Sequence, residues 1–534
     1  MIKSDFHFIN GRIWTGTTRQ PWAEAVAVRG ENIFAVGSSA EIKKHGGAST
    51  RNIDLEGRFA CPGFIDSHTH FLDSALMLTE IRLRDAASRE EFEERFKQEV
   101  KKKKAGEWIL NGEWDHQNFT PSRLPSKKWI DPVTPDNPVC VTRMDMHMVL
   151  VNSLALQIAG IDSRTPDPEG GLIERDARTG EPTGILKDGA MDLVTRHIPE
   201  PSRAKRLEAV RAGMNYAHRL GLTSIHDMSN LANFQIYREL EKQNNLNGRI
   251  CVYIPVSQID SVMDEIQKEG SGSPRLKIGG VKGFADGSLG SYTALFFDSY
   301  SDNPDCRGIP APDMFPEGIM EERLMKADKA GLQAAVHAIG DKANHLVLNI
   351  FAKIMLQEGP RDRRWRIEHA QHVTHEDTVR FGDLGVIASV QPFHAVDDGR
   401  WAEHKIGKAR LSSAYPYHSL LQAGAWLACG SDWSVAPLDP LQGIYAAVTR
   451  RTLDGKNPDG WIPEQKISLE QALKGYTING AYAEFSEELK GSIEPGKLAD
   501  MVVLDQNLFA IPPEEISGVQ VTMTICGGDI VYRR

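Results

Sequence analysis

None of the six cysteines in the 534-residue chain belongs to a Cys-x-x-Cys pair. Cys61, Cys140, Cys251, Cys306, Cys429 and Cys526 are scattered, mostly in apolar context, and read as buried reduced thiols of a cytosolic protein. Long hydrophobic runs are also missing: nothing approaches the ~20 residues needed to span a bilayer. The opening Met1–Phe8 has no signal-peptide h-region, so the expected location is the cytoplasm. Excess positive charge is absent as well. A formal net charge of −10 argues against nucleic acid or an anionic membrane as the main partner. No basic patch interleaved with aromatics changes that reading, and the Lys101–Lys104 run reads as a solvated helix end. A small-molecule substrate is the expected partner, and homo-oligomerisation stays open.

What is present is an ordinary globular composition, 41% hydrophobic and 25% charged, in a chain well above the usual ~100–200 residues per domain. Both ends read as short strands. Phe6–Ile9, Asn10-Gly11 and Arg12–Thr15 suggest a hairpin, as do Ala25–Val28 and Asn32–Gly37 across Arg29-Gly30-Glu31. Ala499–Leu504, Val519–Ile525 and Asp529–Tyr532 suggest three more strands at the other end. The middle alternates helix and strand. Helical stretches stop at Gly221, Gly331, Gly385 and Gly424, and strands follow at Leu222–Asp227, Leu332–His337, Val386–Pro392 and Ala425–Asp432. Single helices between strands imply parallel βα units. The expected fold is α/β: a distorted (β/α)8 TIM barrel with a small β-sandwich formed by both termini. The expected partition is 1–62 and 485–534 for the sandwich and 63–484 for the barrel. Residues around 72–201 exceed two plain βα units and suggest an insertion that shapes the pocket.

The candidate site begins at Pro62-Gly63-Phe64-Ile65-Asp66-Ser67-His68-Thr69-His70. In a strand, residues i and i+2 share a face. His68 and His70 can therefore aim at one divalent metal through neutral nitrogens. Three further ligand types close strand-like runs: His337, His369 and Asp432. Polar groups at several strand C-terminal ends converge where a (β/α)8 barrel builds its active site. Lys282 ends another apolar run, with Lys277 as a less favoured competitor. A buried ammonium beside a divalent metal is costly. Lys282 is read either as a CO2-derived carbamate able to bridge two metals or as an ion-pair partner of Asp286 or another carboxylate.

The segments Pro-Gly-Phe-Ile-Asp-Ser-His-Thr-His, Val-Lys-Gly-Phe-Ala-Asp-Gly-Ser, Val-His-Ala-Ile-Gly-Asp, Arg-Ile-Glu-His-Ala-Gln, Gly-Ser-Asp-Trp and Pro-Gly-Lys-Leu-Ala-Asp together resemble the amidohydrolase superfamily. More narrowly they resemble its branch containing N-substituted formamide deformylase and the YtcJ-like proteins. The resemblance spans nearly the whole chain. It implies a metal site of His68, His70, carboxylated Lys282, His337, His369 and Asp432, holding one or two divalent ions. Such ligands suit zinc best, with nickel, iron, manganese or cobalt as alternatives. Branch members also carry a motif like Asp145-Met146-His147 followed by Asn152-Ser153, with a glycine more usual where Met146 stands.

The resemblance implies hydrolysis of a non-peptide carbon–nitrogen bond, in an N-substituted amide or formamide. A water acidified between the metals would attack, with Asp432 as general base. His147 is a candidate donor to the oxyanion or a packing residue. Asp115, Asp286 and Trp433 are candidate pocket groups or merely structural ones. Nucleobase deamination is disfavoured, because no acid stands three residues after His337. Ester, lactone, lactam and carbamate hydrolysis use the same machinery. A rival of another class is a catalytically silent, metal-stabilised binding or regulatory protein.

Overall fold

The computed structural model describes residues 3–78, 80–121, 123–143, 148–168 and 171–534. Two compact units emerge, one made of Met1–Leu72 with Gly213–Arg534 and the other of Asp73–Ala212.

The centre of the first unit is an eight-stranded parallel sheet. Its strands are β1 (Phe64–Thr69), β2 (Leu222–Met228), β3 (Arg249–Pro255), β4 (Leu276–Phe284), β5 (Gln333–Ala338), β6 (Arg366–His369), β7 (Ile387–Val390) and β8 (Leu427–Cys429). They follow one another in chain order, and β8 returns to β1 through a parallel bridge between Thr69 and Trp433. Backbone bonds from Asp432 N–H to His68 O (2.7 Å) and from His70 N–H to Trp433 O (2.9 Å) close the barrel. These strands are buried on both faces, so they read as continuous apolar runs rather than alternating ones. Helices cover the outside with one apolar stripe each. Asp341–Glu358 buries Ala343, Val347, Leu348, Phe351 and Ile354 at the 3–4 residue spacing of a helix face.

Both chain ends meet in two sheets around a shared core. Phe6–Ile9, Ala25–Arg29, Asn32–Gly37 and Arg51–Asp54 form the four-stranded one. Arg12–Trp14, Trp22–Ala23, Phe59–Pro62, Met501–Leu504, Val521–Cys526 and Asp529–Arg533 form the six-stranded one. Phe8, Val26, Val28 and Ile53 of the first sheet pack with Ile13, Ala60, Met501, Val503, Met523 and Ile525 of the second. One expectation is corrected: Asn10-Gly11 is not a hairpin turn. Phe6–Ile9 and Arg12–Trp14 lie in different sheets, and the chain crosses between them at this point. Asn10 has a φ of 58° and is held by Asp54 Oδ2 (2.8 Å) and Ser39 Oγ (2.9 Å). A Cβ on Gly11 would fall 2.6 Å from Leu55 Cδ1, so close approach explains the glycine.

The second unit falls in the chain between β1 and β2 and has its own mixed six-stranded sheet. Its strand Val139–Arg143 alternates between two cores. Val139 and Val141 join Phe92, Phe96 and Trp129 on one side, and Cys140 joins Val149, Leu156 and Leu186 on the other. No helix among the described residues is long and apolar enough to cross a membrane.

Candidate metal centre

β1 delivers His68 and His70 to the C-terminal end of the barrel. His68 is fully buried, and its Nε2 lies 3.5 Å from Asp432 Oδ1. His70 is about a third exposed, and its Nε2 lies 3.3 Å from the same oxygen. Asp432 stands three residues beyond β8 rather than within it, because the strand ends at Cys429. Its φ of 58° turns the chain so that the carboxylate faces back over the barrel. The preceding Gly430 leaves room for that turn, since a Cβ there would lie 2.5 Å from the His68 backbone nitrogen.

His369 reaches the same place from β6. Its ring centroid is 4.9 Å from that of His68 and 4.5 Å from that of His337. Neighbouring residues of a strand normally point to opposite faces. Here His369 and Ala370 have φ of 74° and 42°, so the chain turns at the strand end. Glu368 and His369 thereby both serve the site. Glu368 Oε2 accepts from His68 Nδ1 at 2.5 Å, and Gln391 Oε1 accepts from His369 Nδ1 at 2.7 Å.

Among the described residues, two triads could hold a metal ion: His68, His70 and Asp432, and His369, His394 and Asp432. The ligand atoms within each triad lie within 4.8 Å of one another. His394 sits on the short helix Pro392–Asp398 directly after β7, with Nε2 4.0 Å from Asp432 Oδ2. Sequence reasoning missed it. The available signal was a histidine just past the end of a barrel strand.

The electrostatics suit a metal. His68 Nε2, His394 Nε2 and Asp432 Oδ1 are buried without a hydrogen-bond partner. Such orphaned atoms are costly unless a ligand satisfies them. Burial pushes the His68 ring down to about 4, and burial takes His369 well below its ordinary value. Both rings are therefore neutral at pH 7 and offer lone pairs. Burial would raise the Asp432 carboxyl. The adjoining histidines, His70 foremost with its Nε2 3.3 Å from Oδ1, outweigh it and place the carboxyl well below its ordinary value. For His70 burial opposes the proton, but Asp432 outweighs it and raises the ring. Asp66, under the site, is pushed up to about 7 by burial, and its Oδ1 accepts from the His68 and Ser431 backbone N–H groups.

The remaining predicted residues are placed as follows. Lys282, near the end of β4, is buried, and its Nζ has no hydrogen-bond partner among the described residues. It lies 4.9 Å from the Phe284 ring centroid. The ion pair with Asp286 weighed for Lys282 is not formed. Asp286 instead accepts from the backbone N–H groups of Leu295, Ile339 and Gly340 at 2.8–3.0 Å, and orders the loops around β4 and β5. His337 Nε2 lies 3.1 Å from Gly287 O and 3.4 Å from Asp286 Oδ1. Lys277 is occupied elsewhere, donating to Glu484 O and Ser486 Oγ, both at 2.6 Å. Trp433 packs against Phe71 and Tyr216. Asp115 belongs to the second unit, where Arg143 lies 3.3 Å from it. His147 and its Asp145-Met146 neighbours lie outside the described residues.

A sequence model of the amidohydrolase family matches residues 51–532. Protein LONG AFTER FAR-RED 3 of Arabidopsis thaliana is 41% identical over 544 aligned residues, covering 99% of this chain and 92% of that one. Putative amidohydrolase YtcJ of Bacillus subtilis is 32% identical, with 100% of both chains covered. N-substituted formamide deformylase of Arthrobacter pascens is 26% identical, with 99% of this chain and 98% of that one covered. The crystal structure of an uncharacterized metal-dependent hydrolase from Pyrococcus horikoshii superposes with a TM-score of 0.78 at 27% identity, over 95% of this chain and 99% of that one.

Proposed function

The chain belongs to the amidohydrolase family and is a metal-dependent hydrolase, and we propose that it cleaves a non-peptide carbon–nitrogen bond in an N-substituted amide or formamide. The observation that carries this reading is the pair of triads that share Asp432, one with His68 and His70 and the other with His369 and His394, together with the lack of hydrogen-bond partners at Asp432 Oδ1 and His68 Nε2. His68, His70 and Asp432 would hold one ion, with zinc the best match to the donors. His369, His337 and a CO2-derived carbamate on Lys282 would hold a second. When bound, such ions acidify a water and polarise a carbonyl oxygen.

Asp432 takes the proton of the attacking water and returns it to the leaving nitrogen. A second group fits the substrate side. A cavity of about 380 Å³, lined by Phe284, Thr293, Ile309 and Pro312 together with the carboxylate-bearing Asp286 and Asp313, adjoins His337 through the Phe284 ring and would receive the substituent. With six free cysteines, five of them buried, the chain suits a reducing compartment such as the cytoplasm.

A mass-spectrometric screen tests the reading. Zinc-loaded protein in bicarbonate meets N-formyl and N-acyl amines, lactams, esters and carbamates, with Asp432→Asn as control. Cleavage of the amides by wild type alone is expected. Cleavage confined to esters, lactones or carbamates would move the function to those bonds. Metal uptake with no cleavage in any class would favour the silent binding protein.

Two further outcomes follow from the donors. Removing metal with dipicolinate abolishes turnover, and zinc with bicarbonate restores it; activity that survives metal removal, with the loss of metal verified, contradicts the site. Burial lowers Lys282 to about 8. Carbamate formation needs the neutral amine, so its fraction grows as pH rises towards that value. Reactivation of stripped protein at a constant concentration of dissolved CO2 should therefore accelerate from pH 6.5 to 8.5. A pH-independent rate would argue against the carbamate.

A further inference from the structure

A barrel interior is normally filled by layers of branched aliphatic side chains. Here a fully buried arginine, Arg366 on β6, lies beneath the candidate metal centre. A buried guanidinium is costly unless its donors are all met. Its Nε donates to Glu368 Oε1 (2.8 Å), and Nη2 to Glu368 Oε2 (3.0 Å), Ser67 O (2.6 Å) and Ser389 Oγ (2.8 Å). Nη1 donates to His226 Nδ1 (2.9 Å) and Tyr253 Oη (3.1 Å). The guanidinium thus ties together β1, β2, β3, β6 and β7. The mechanism above uses none of these groups.

The far side of the Glu368 carboxylate meets His68 Nδ1. An imidazole that gives its Nδ1 proton to a carboxylate keeps its lone pair on Nε2. That Nε2 is the orphaned atom facing Asp432. His369 differs, because its Nδ1 meets the neutral Gln391 amide.

We propose that Glu368 is a positioning residue for the metal centre: clamped by Arg366, it sets the tautomer and ring orientation of His68. The two histidines are then unequal. His68, backed by a charged acceptor, is the more basic ligand, and its ion binds more tightly than the one at His369. Glutamine cannot replace Glu368 at this point. It can offer His68 its oxygen only by turning its NH2 group against the Arg366 donors.

The inference rests on the metal reading of this site, and the test separates the two. Equilibrium zinc binding, thermal unfolding and the visible spectrum of the cobalt(II) form are measured on the full chain. The proteins are wild type, Glu368→Gln and the double variant Arg366→Met/Glu368→Leu, in which position 368 has no acceptor for His68. Glu368→Gln should lose about 10–100-fold in zinc affinity and shift the cobalt bands. The double variant removes both buried charges, so it should recover thermal stability while zinc affinity stays low. Recovery of zinc affinity together with stability would mean the pair only holds strands together, and the proposal falls. Unchanged affinity and spectrum in Glu368→Gln would overturn it as well. If Glu368→Gln does not fold, the double variant decides alone. A wild-type protein that takes up no zinc would overturn the metal reading and this inference with it.

Discussion

Asp432→Asn should lower turnover by about 10²–10⁴-fold, the range expected when a positioned general base is lost. Asparagine keeps the size of the side chain and one oxygen but cannot take a proton. The fold should survive, because closure of the barrel here relies on the backbone: the Asp432 N–H donates to His68 O at 2.7 Å whatever the side chain is. Three side-chain contacts do change, those to His68 Nε2, His70 Nε2 and His394 Nε2 at 3.5, 3.3 and 4.0 Å. Zinc content measured beside kcat and KM therefore divides the effect. Full zinc with low kcat and unchanged KM assigns the loss to proton transfer. Zinc loss in parallel with activity assigns it to ligation. Turnover within threefold of wild type would remove Asp432 from the chemistry altogether.

Arg249→Met should destabilise the protein by about 3–5 kcal/mol, the usual result of removing one partner from a buried ion pair. Arg249 begins β3 and Asp500 immediately precedes Met501–Leu504 of the six-stranded terminal sheet, and both are almost fully buried. Two bonds join them, Nε to Oδ2 at 2.7 Å and Nη2 to Oδ1 at 3.0 Å. Asp500 Oδ1 also accepts the Gly527 N–H at 2.7 Å, so the carboxylate links barrel, strand and turn. Removing the arginine leaves a buried carboxylate with only part of its compensation. Burial alone would raise the Asp500 carboxyl, but Arg249 outweighs it and holds it below the ordinary value. A carboxyl depressed in the folded state contributes stability above its unfolded value of about 3.9 and loses it as pH falls through the folded value. The gap between wild type and variant should therefore be full near pH 7 and shrink below pH 4. Urea unfolding at pH 7 and pH 3.5 checks both points, and equal midpoints at pH 7 would show that the pair does not stabilise the fold.

Much of the site was legible because its signal is local. A histidine or aspartate just past an apolar run marks a strand end, and parallel strand ends share one face of a barrel. His68, His70, His369 and Asp432 could be singled out in that way without knowing how the strands are ordered, as could His337, which belongs to neither triad. The alternation of helix and strand announced the barrel, and β-rich runs at both termini announced the two sheets. Where a local pattern has two meanings, reading failed. Asn10-Gly11 has the composition of a hairpin turn, yet the same left-handed backbone serves a chain that changes sheets. His394 lies just past the expected strand Val386–Pro392, a local signal that went unused, and that Asp432 lies 4.0 Å away is visible only in the fold.

The amino-acid sequence by itself determined which chemistry is available: neutral nitrogen donors, a carboxylate and a lysine at the ends of buried strands. Tertiary structure alone decided how those donors are tuned. Glu368 and His68 are 300 residues apart and meet only because β6 and β1 face each other across the barrel. Whether a neighbour of His369 points towards the site or away from it depends on a φ of 74° at the strand end, which no periodicity records. Partners of buried polar groups are chosen by long-range closure, since each such group must find whichever acceptor the finished fold brings within reach.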